Sequence, residues 1–267
     1  MTAYMDHKDL SNRVIDAARA RQIADGVHKV LDGIAQAESA AGRPGGSVRL
    51  LAATKTRDVG EIMAAIDAGV RLIGENRPQE VEAKREGLVA ECAARGMTIA
   101  SGADGASEGG HVGFHLIGQL QSNKINKVLG VVDTIESVDS LKLAQRLSSH
   151  AVARGVTLGV LLEVNESGEE SKSGCDPAEA ADLAQQIAAL DGLRLDGLMT
   201  IGAHVDDEAV IRAGFAHLRG LRDDLRASIP SCMQLSMGMT NDMAYAVAEG
   251  STIVRVGTAI FGPRAFI

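Results

Sequence analysis

Val48-Arg-Leu-Leu-Ala-Ala-Thr-Lys-Thr56, with the helical pattern Val59 to Ala68 and the apolar run Val70 to Gly74 that follow it, is the stretch on which the fold turns. The run from Val48 to Thr54 is short and almost wholly apolar, which reads as a mostly buried β-strand ending at a lysine. Outward from it the same alternation continues. Further apolar runs cover Phe114 to Gly118, Val131 to Glu136, Leu158 to Asn165, Leu195 to Ile201, Met233 to Ser236 and Ile253 to Gly257. Amphipathic stretches fall between them, such as Leu141 to Ala153, Ala178 to Leu190 and Asp207 to Ala227. Asp176-Pro177 marks a helix start, with proline in the first turn. Upstream, a helix is expected from about Asn12 to Glu38, with Ile23, Val27, Val30, Leu31 and Ile34 on one face and Gly42-Arg-Pro-Gly-Gly46 ending it.

Eight strand candidates with intervening helices predict an α/β protein: a single (β/α)8 barrel with an extra N-terminal helix. No G-x-G-x-x-G follows a strand, which argues against an open dinucleotide-binding sheet. The Gly-, Ser-, Ala- and Asp-rich segment 100–110 is expected to be a mobile loop before the third strand, and residues 1–11 a mobile N-terminus. No linker divides the chain, so residues 1–267 read as one domain.

Composition narrows the function classes. A net charge of −8, scattered basic residues and only two tyrosines, four phenylalanines and no tryptophan argue against a nucleic-acid surface. Cys92, Cys175 and Cys232 are odd in number and far apart, suggesting neither a disulfide framework nor a zinc site. No apolar run approaches a membrane span and no signal-peptide h-region opens the chain, so a soluble cytoplasmic protein without a membrane partner is expected.

Barrels carry function at the C-terminal ends of their strands. Lys55, Glu75-Asn76, Gln119, Ser137, Asn165, Thr200, Ser236 to Thr240 and Arg255 to Thr258 fall at those ends. Lys55 has two readings: a strand-end lysine with its head in water, or a desolvated amine that attacks aldehydes. Gly238-Met-Thr240 and Gly257-Thr258 each precede a helical pattern, the second a short helix from Thr258 to Phe261. They serve either as tight turns with capping threonines or as phosphate-binding amides after the last two strands. A Schiff-base lysine together with phosphate binding suggests pyridoxal 5′-phosphate (PLP).

The chain resembles the pyridoxal phosphate homeostasis protein family, which shares the barrel domain of alanine racemases. The matching segments are AATKT at Ala52 to Thr56, IGENRPQE at Ile73 to Glu80, FHLIGQLQSNK at Phe114 to Lys124, LMTIG at Leu198 to Gly202, SMGMTND at Ser236 to Asp242 and VRVGTAIFG at Val254 to Gly262. Each is weak alone; their order along the chain is specific. The resemblance implies a PLP-binding barrel with the cofactor held as an aldimine on Lys55 and Asn76 lining its pocket. Thr240, Gly257 and Thr258 would hold the phosphate, Ser236 would belong to the same site, and Arg255 would face the pyridine nitrogen. The family usually has serine where this chain has Thr240, and often tryptophan where it has Phe114.

Arg255 bears on the chemistry. PLP enzymes that use the ring as a deep electron sink place a carboxylate at the pyridine nitrogen. An arginine offers only donors and disfavours protonation there. Its alternative reading is an ion pair with a barrel carboxylate such as Glu163. A two-base racemase also needs a second acid/base opposite the lysine, which the racemase relatives draw from a tyrosine and a further C-terminal domain. Only Tyr4 and Tyr245 are available, and His115 is expected to be a hydrogen-bonded interior residue. The expected function is therefore PLP binding for intracellular PLP homeostasis, without robust catalysis. A single-domain amino-acid racemase and a cofactor-free aldolase using Lys55 are the alternatives. Expected partners are PLP and PLP-dependent apo-enzymes, with Lys172-Ser-Gly174 a candidate contact; a monomer is expected, a weak dimer the alternative.

Overall fold

A computed structural model of the chain describes residues 8–99, 110–169, 173–203 and 205–263. Eight parallel strands close into a barrel: β1 (Arg49–Ala53), β2 (Leu72–Glu75), β4 (His111–Leu116), β5 (Thr134–Val138), β6 (Leu158–Glu163), β7 (Leu193–Met199), β8 (Gln234–Ser236) and β9 (Ile253–Val256). Closure runs through β2, which pairs with β1 on one side and with β4 on the other. The helices α2 (Val59–Asp67), α3 (Pro78–Ala94), α4 (Ile125–Val128), α5 (Leu141–Arg154), α6 (Ala180–Ala188), α7 (Glu208–Leu225), α8 (Met243–Ala248) and α9 (Thr258–Phe261) follow the strands. The expected (β/α)8 barrel is present, with all eight expected strands in place.

The two-residue period of the strands sorts their side chains into two cores. Leu51, Leu72 and Ile253 pack inside the barrel with Ile117, while Leu50, Ala52 and Ile73 face the helix layer. Interior space is tight: a Cβ on Gly74 would lie 2.4 Å from Leu51 Cδ2.

The N-terminal helix α1 (Ala17–Ala40) packs on α2, α8 and α9 and so fills the outer position that the short α9 leaves open. It buries Ile23, Val27, Val30 and Ile34, each contributing roughly 1.5–3 kcal/mol. It begins five residues later than the periodicity predicts. Asn12 bonds the Val14 backbone through both ends of its amide, which holds that segment out of a helix, and Asp16 accepts from the Ala18 and Arg19 N–H groups as the N-cap. Residues before it are anchored: Leu10 is buried and Lys8 pairs with Glu61 at 2.6 Å. Further departures are local. The third barrel strand spans His111–Leu116 rather than 114–118, and a two-residue strand β3 (Thr98–Ile99) pairs with its start. The helix expected from Ala178 begins at Ala180, because Asp176 caps a turn by accepting from Ala178 N–H at 2.8 Å. Most of the expected 100–110 loop and residues 1–7 lie outside the described residues.

Gly26 sits where α1 crosses α9: a Cβ there would lie 2.7 Å from the Ile260 carbonyl oxygen and 2.9 Å from that of Ala259. Alanine ordinarily stabilises a helix interior relative to glycine by about 1 kcal/mol. Here Gly26→Ala is expected to destabilise by about 1–3 kcal/mol through overpacking, measured by urea unfolding. A stabilised variant would refute this account of how α1 docks.

Candidate functional site

Period-two alternation carries Lys55, Asn76 and Arg255 on the same strand faces as Leu51, Leu72 and Ile253, so the three converge where the barrel interior opens. A cavity of about 270 Å³ lies there, walled by Ala53, Lys55, Arg57, Asn76, Ile117, Ile201, Met239, Thr240, Arg255, Gly257, Thr258 and Gly262. Six of the seven expected site residues thus share one cavity. Lys55 is half-buried and stands two residues beyond the end of β1, past Thr54, whose N–H bonds Gly74 O at 2.9 Å.

Ser236 is the seventh, and it does not line the cavity. It is fully buried beneath Arg255. Its hydroxyl donates to Glu136 Oε2 at 2.6 Å and accepts from Arg255 Nη1 at 2.7 Å. Arg255 is held from behind at two further points: Nη1 donates to the Ser236 carbonyl at 2.7 Å and Nη2 to Thr200 O at 2.8 Å. No ion pair joins Arg255 to Glu163 among the described residues, so that alternative reading gives way to a carbonyl-held arginine. Burial pulls the Arg255 pKa down against the attraction of Glu136, Asp242 and Glu163.

His115 is interior and hydrogen-bonded, as expected: its Nδ1 lies 2.6 Å from Glu136 Oε1. Burial pushes Glu136 up, but the His115 contact, Arg255 and the Ser236 hydroxyl outweigh it and leave the carboxyl below its ordinary range. Glu163 differs. Burial, aided by repulsion from Asp139 and Glu136 and opposed by Arg255, pushes it up to about 7, and its Oε2 has no protein partner.

On the same cavity wall, Gly257 heads α9 without a side-chain cap, and a Cβ on it would meet Ala53 O at 3.2 Å. Arg57 lies beside this turn, over the Phe261 ring at 5.6 Å, and donates to Gly262 O at 2.9 Å. Gly238 takes φ +92 to turn the β8 loop, and the helix expected after Thr240 starts at Met243, with Asp242 accepting from Met239 N–H at 2.5 Å. Thr240 reaches the cavity from this loop.

Several residues escaped the sequence reading. Arg57 follows Lys55 just past a strand end, an ordinary surface pattern. Glu136 sits at the end of a strand run that also holds Asp133 and Thr134, so a carboxylate there did not stand out. Lys84 is fully buried with Glu75 and Glu80, and its signal was a Glu–Lys pair at helical i,i+4 spacing. Tyr245 lines an adjoining cavity with Glu208 and Asp242 rather than the Lys55 cavity, and Tyr4 lies outside the described residues. So does Lys172 of the expected contact loop, while Ser173 accepts from Gln119 Nε2 at 2.5 Å. The three cysteines are buried, and burial pushes their thiols up to about 11 to 12, which makes them poor nucleophiles. Among the described residues no cluster could hold a metal ion, and no helix is long and apolar enough to cross a membrane.

The Glu163 environment sets a pH dependence. Its carboxyl titrates near 4.5 when unfolded and near 7 when folded, so its stabilising share is complete below pH 4.5 and is lost as pH rises to about 7. The stability of Glu163→Gln relative to the parent chain is expected to rise across that window, by on the order of 2 kcal/mol. Denaturant unfolding at several pH values measures it; a flat difference would place Glu163 in a solvated setting.

Residues 34–265 match the family described as alanine racemase, N-terminal domain. A pyridoxal phosphate homeostasis protein of Pseudomonas aeruginosa is 40% identical over 242 residues, covering 91% of this chain and 96% of that protein. The crystal structure of an unknown protein from Bifidobacterium adolescentis superposes with a TM-score of 0.91 at 69% identity, covering 95% of this chain and all of the other. PipY of Synechococcus elongatus PCC7942, solved with PLP bound, superposes with a TM-score of 0.66 at 34% identity, covering 86% of this chain and 100% of PipY. With its barrel, its Lys55 cavity and relatives matched over nearly their whole length, the chain belongs to the pyridoxal phosphate homeostasis protein family, built on the alanine racemase N-terminal domain.

Proposed function

We propose that the chain binds pyridoxal 5′-phosphate in the Lys55 cavity and serves PLP homeostasis, holding and releasing the cofactor rather than turning over a substrate. The single observation that carries this reading is the composition of the cavity wall, which joins one lysine amine to the Thr240, Gly257 and Thr258 donors. The residues present fit the group. Asn76 Oδ1 is buried without a protein partner, an acceptor that a bound ring with a polar substituent would satisfy. The bare Gly257 turn leaves backbone amides and the Thr258 hydroxyl open to an anion, and Arg57 adds positive charge beside them. When bound, PLP supplies an aldehyde that condenses with a lysine amine and a ring that withdraws electrons.

The chain's own residues favour retention over catalysis. Arg255, fixed by Thr200 and Ser236, presents a permanent cation and withholds a proton from a ring nitrogen, which weakens electron withdrawal. Ser236 acts through Arg255 in this reading. Arginines aside, Lys55 is the only titratable side chain on the wall among the described residues. His115 is engaged by Glu136 below it. Among the described residues, the cavity wall thus offers no second base for proton transfer at a substrate carbon. Ile201 and Met239 at the cavity are 41% and 39% exposed, an open entrance suited to exchange of the cofactor. PLP-dependent apo-enzymes of the cytoplasm are the recipients in this reading, and the protein acts as a monomer.

Purified protein reconstituted with PLP is expected to absorb in the visible range, to lose that band on borohydride reduction, and to carry the pyridoxyl group on Lys55 in peptide maps. Lys55→Ala should remove the reducible band with the fold intact; a reducible adduct in that variant would move the anchor elsewhere. Thr258→Val should weaken PLP retention several-fold by removing a donor to a dianion, by equilibrium dialysis. α-Deuterated alanine should keep its label over hours with the loaded protein, whereas rapid exchange would favour a racemase.

A further inference from the structure

Lys84 is the largest of the fully buried side chains, and it lies outside the cavity, between α3 and the turn that carries Lys55. Its ammonium donates to Thr54 O at 3.0 Å, to Glu80 Oε2 at 3.0 Å and to Glu75 Oε1. Glu75 Oε1 also accepts from the Thr54 hydroxyl at 2.6 Å, and Glu80 Oε2 from the Thr56 N–H at 2.6 Å. The cluster therefore grips the residue before Lys55 and the residue after it. All three charged side chains are at most 1% exposed, so solvent screens none of these contacts.

What they hold is a strained turn. Arg57 N–H bonds Thr54 O at 3.0 Å, closing a four-residue turn with Lys55 and Thr56 at its centre. Thr56 has φ +66, and among the described residues it is the only non-glycine with positive φ. A β-branched residue resists that conformation, and Thr56 Oγ1 is also buried without a protein partner. Strain of this kind persists only where the surroundings over-determine it. Relaxation of Thr56 to negative φ would break its bond to Glu80 and redirect the Lys55 side chain.

We infer that Lys84 is the positioning residue of Lys55: with Glu75 and Glu80 it keeps Thr56 left-handed and thereby aims the Lys55 amine into the cavity. The cofactor readout of this inference rests on the PLP-binding reading above. The competing role is that the cluster merely fastens α3 to the barrel, in which case it would affect stability but not Lys55.

The test pairs Lys84→Met with Thr56→Gly, since glycine adopts positive φ without strain. Two quantities are read in each folded variant: PLP affinity by absorbance titration, and the acetic anhydride labelling rate of Lys55 in cofactor-free protein by mass spectrometry. Lys84→Met is expected to weaken PLP binding at least tenfold and to change Lys55 labelling at least threefold. Thr56→Gly in the same chain should recover both to within threefold of Thr56→Gly alone. Leu147→Ala, in the distant core of α5, serves as a control of reduced stability and should leave both unchanged. If Lys84→Met does not fold, Glu80→Gln, which keeps an acceptor for Thr56, is compared with Glu80→Met, and only the latter should show the losses. Unchanged affinity and labelling in folded Lys84→Met, or equal behaviour of the two Glu80 variants, would overturn the inference. A parent chain that forms no PLP adduct would refute the proposed function instead, and the labelling rates would still decide the role of Lys84.

Discussion

Four residue pairs between β2 and β4, from Leu72–Gly113 to Glu75–Leu116, close the sheet on itself, and the cavity depends on that closure. An open sheet would present Lys55, Asn76 and Arg255 along a surface; a closed one turns the same alternate residues toward one axis. Closure also decides which charges are buried. Interior positions on β4, β5, β6 and β9 carry His115, Glu136, Glu163 and Arg255, groups that an apolar barrel core would exclude. His115, Glu136 and Arg255 persist because they are bonded to one another, through Ser236, and to Thr200, which holds the arginine still where a flexible surface cation would wander. Glu163 instead keeps its proton to higher pH.

A second charged group lies on the other side of the strands, where Glu75 and Glu80 face Lys84 under α3. Burial pushes Glu75 up despite the neighbouring ammonium, and the charge of Glu80 adds to the rise, as expected where two carboxylates share one buried cation. The Lys55 turn therefore lies between two polar interiors with different tasks. One orients groups that wall the cavity; the other grips the peptides on which the lysine stands.

The barrel was legible in the sequence because most strands fall on short apolar runs and the outer helices α2, α5, α6 and α7 carry a helical period. The expected site residues were legible for a related reason: strand ends in a barrel share one mouth. What escaped depends on contacts between distant elements. Glu80 and Lys84 form the i,i+4 pair that most often marks a solvated helix face, and only the docking of α3 buries it. β3 is two residues long and separated from its partner by a Gly/Ser-rich segment, too little for any period to show. Ser236 read as a mouth residue by position, yet its hydroxyl is used on Glu136 and Arg255 one layer below.

The docking of α1 has a consequence for how the chain reaches this state. Its partners α8 and α9 are made last, and Arg19 bonds Phe261 O across 242 positions of sequence. During synthesis α2 follows within about twenty residues and can cover its share of the Ile23, Val27, Val30 and Ile34 stripe, but the part that faces α8 and α9 stays exposed while more than two hundred residues emerge. Contacts of such long range form slowly, because loop-closure entropy opposes them until the ring of strands is nearly complete. The nascent chain thus carries a partly covered amphipathic helix through most of its time on the ribosome, a natural handle for chaperones, and its seam with α8 and α9 closes late.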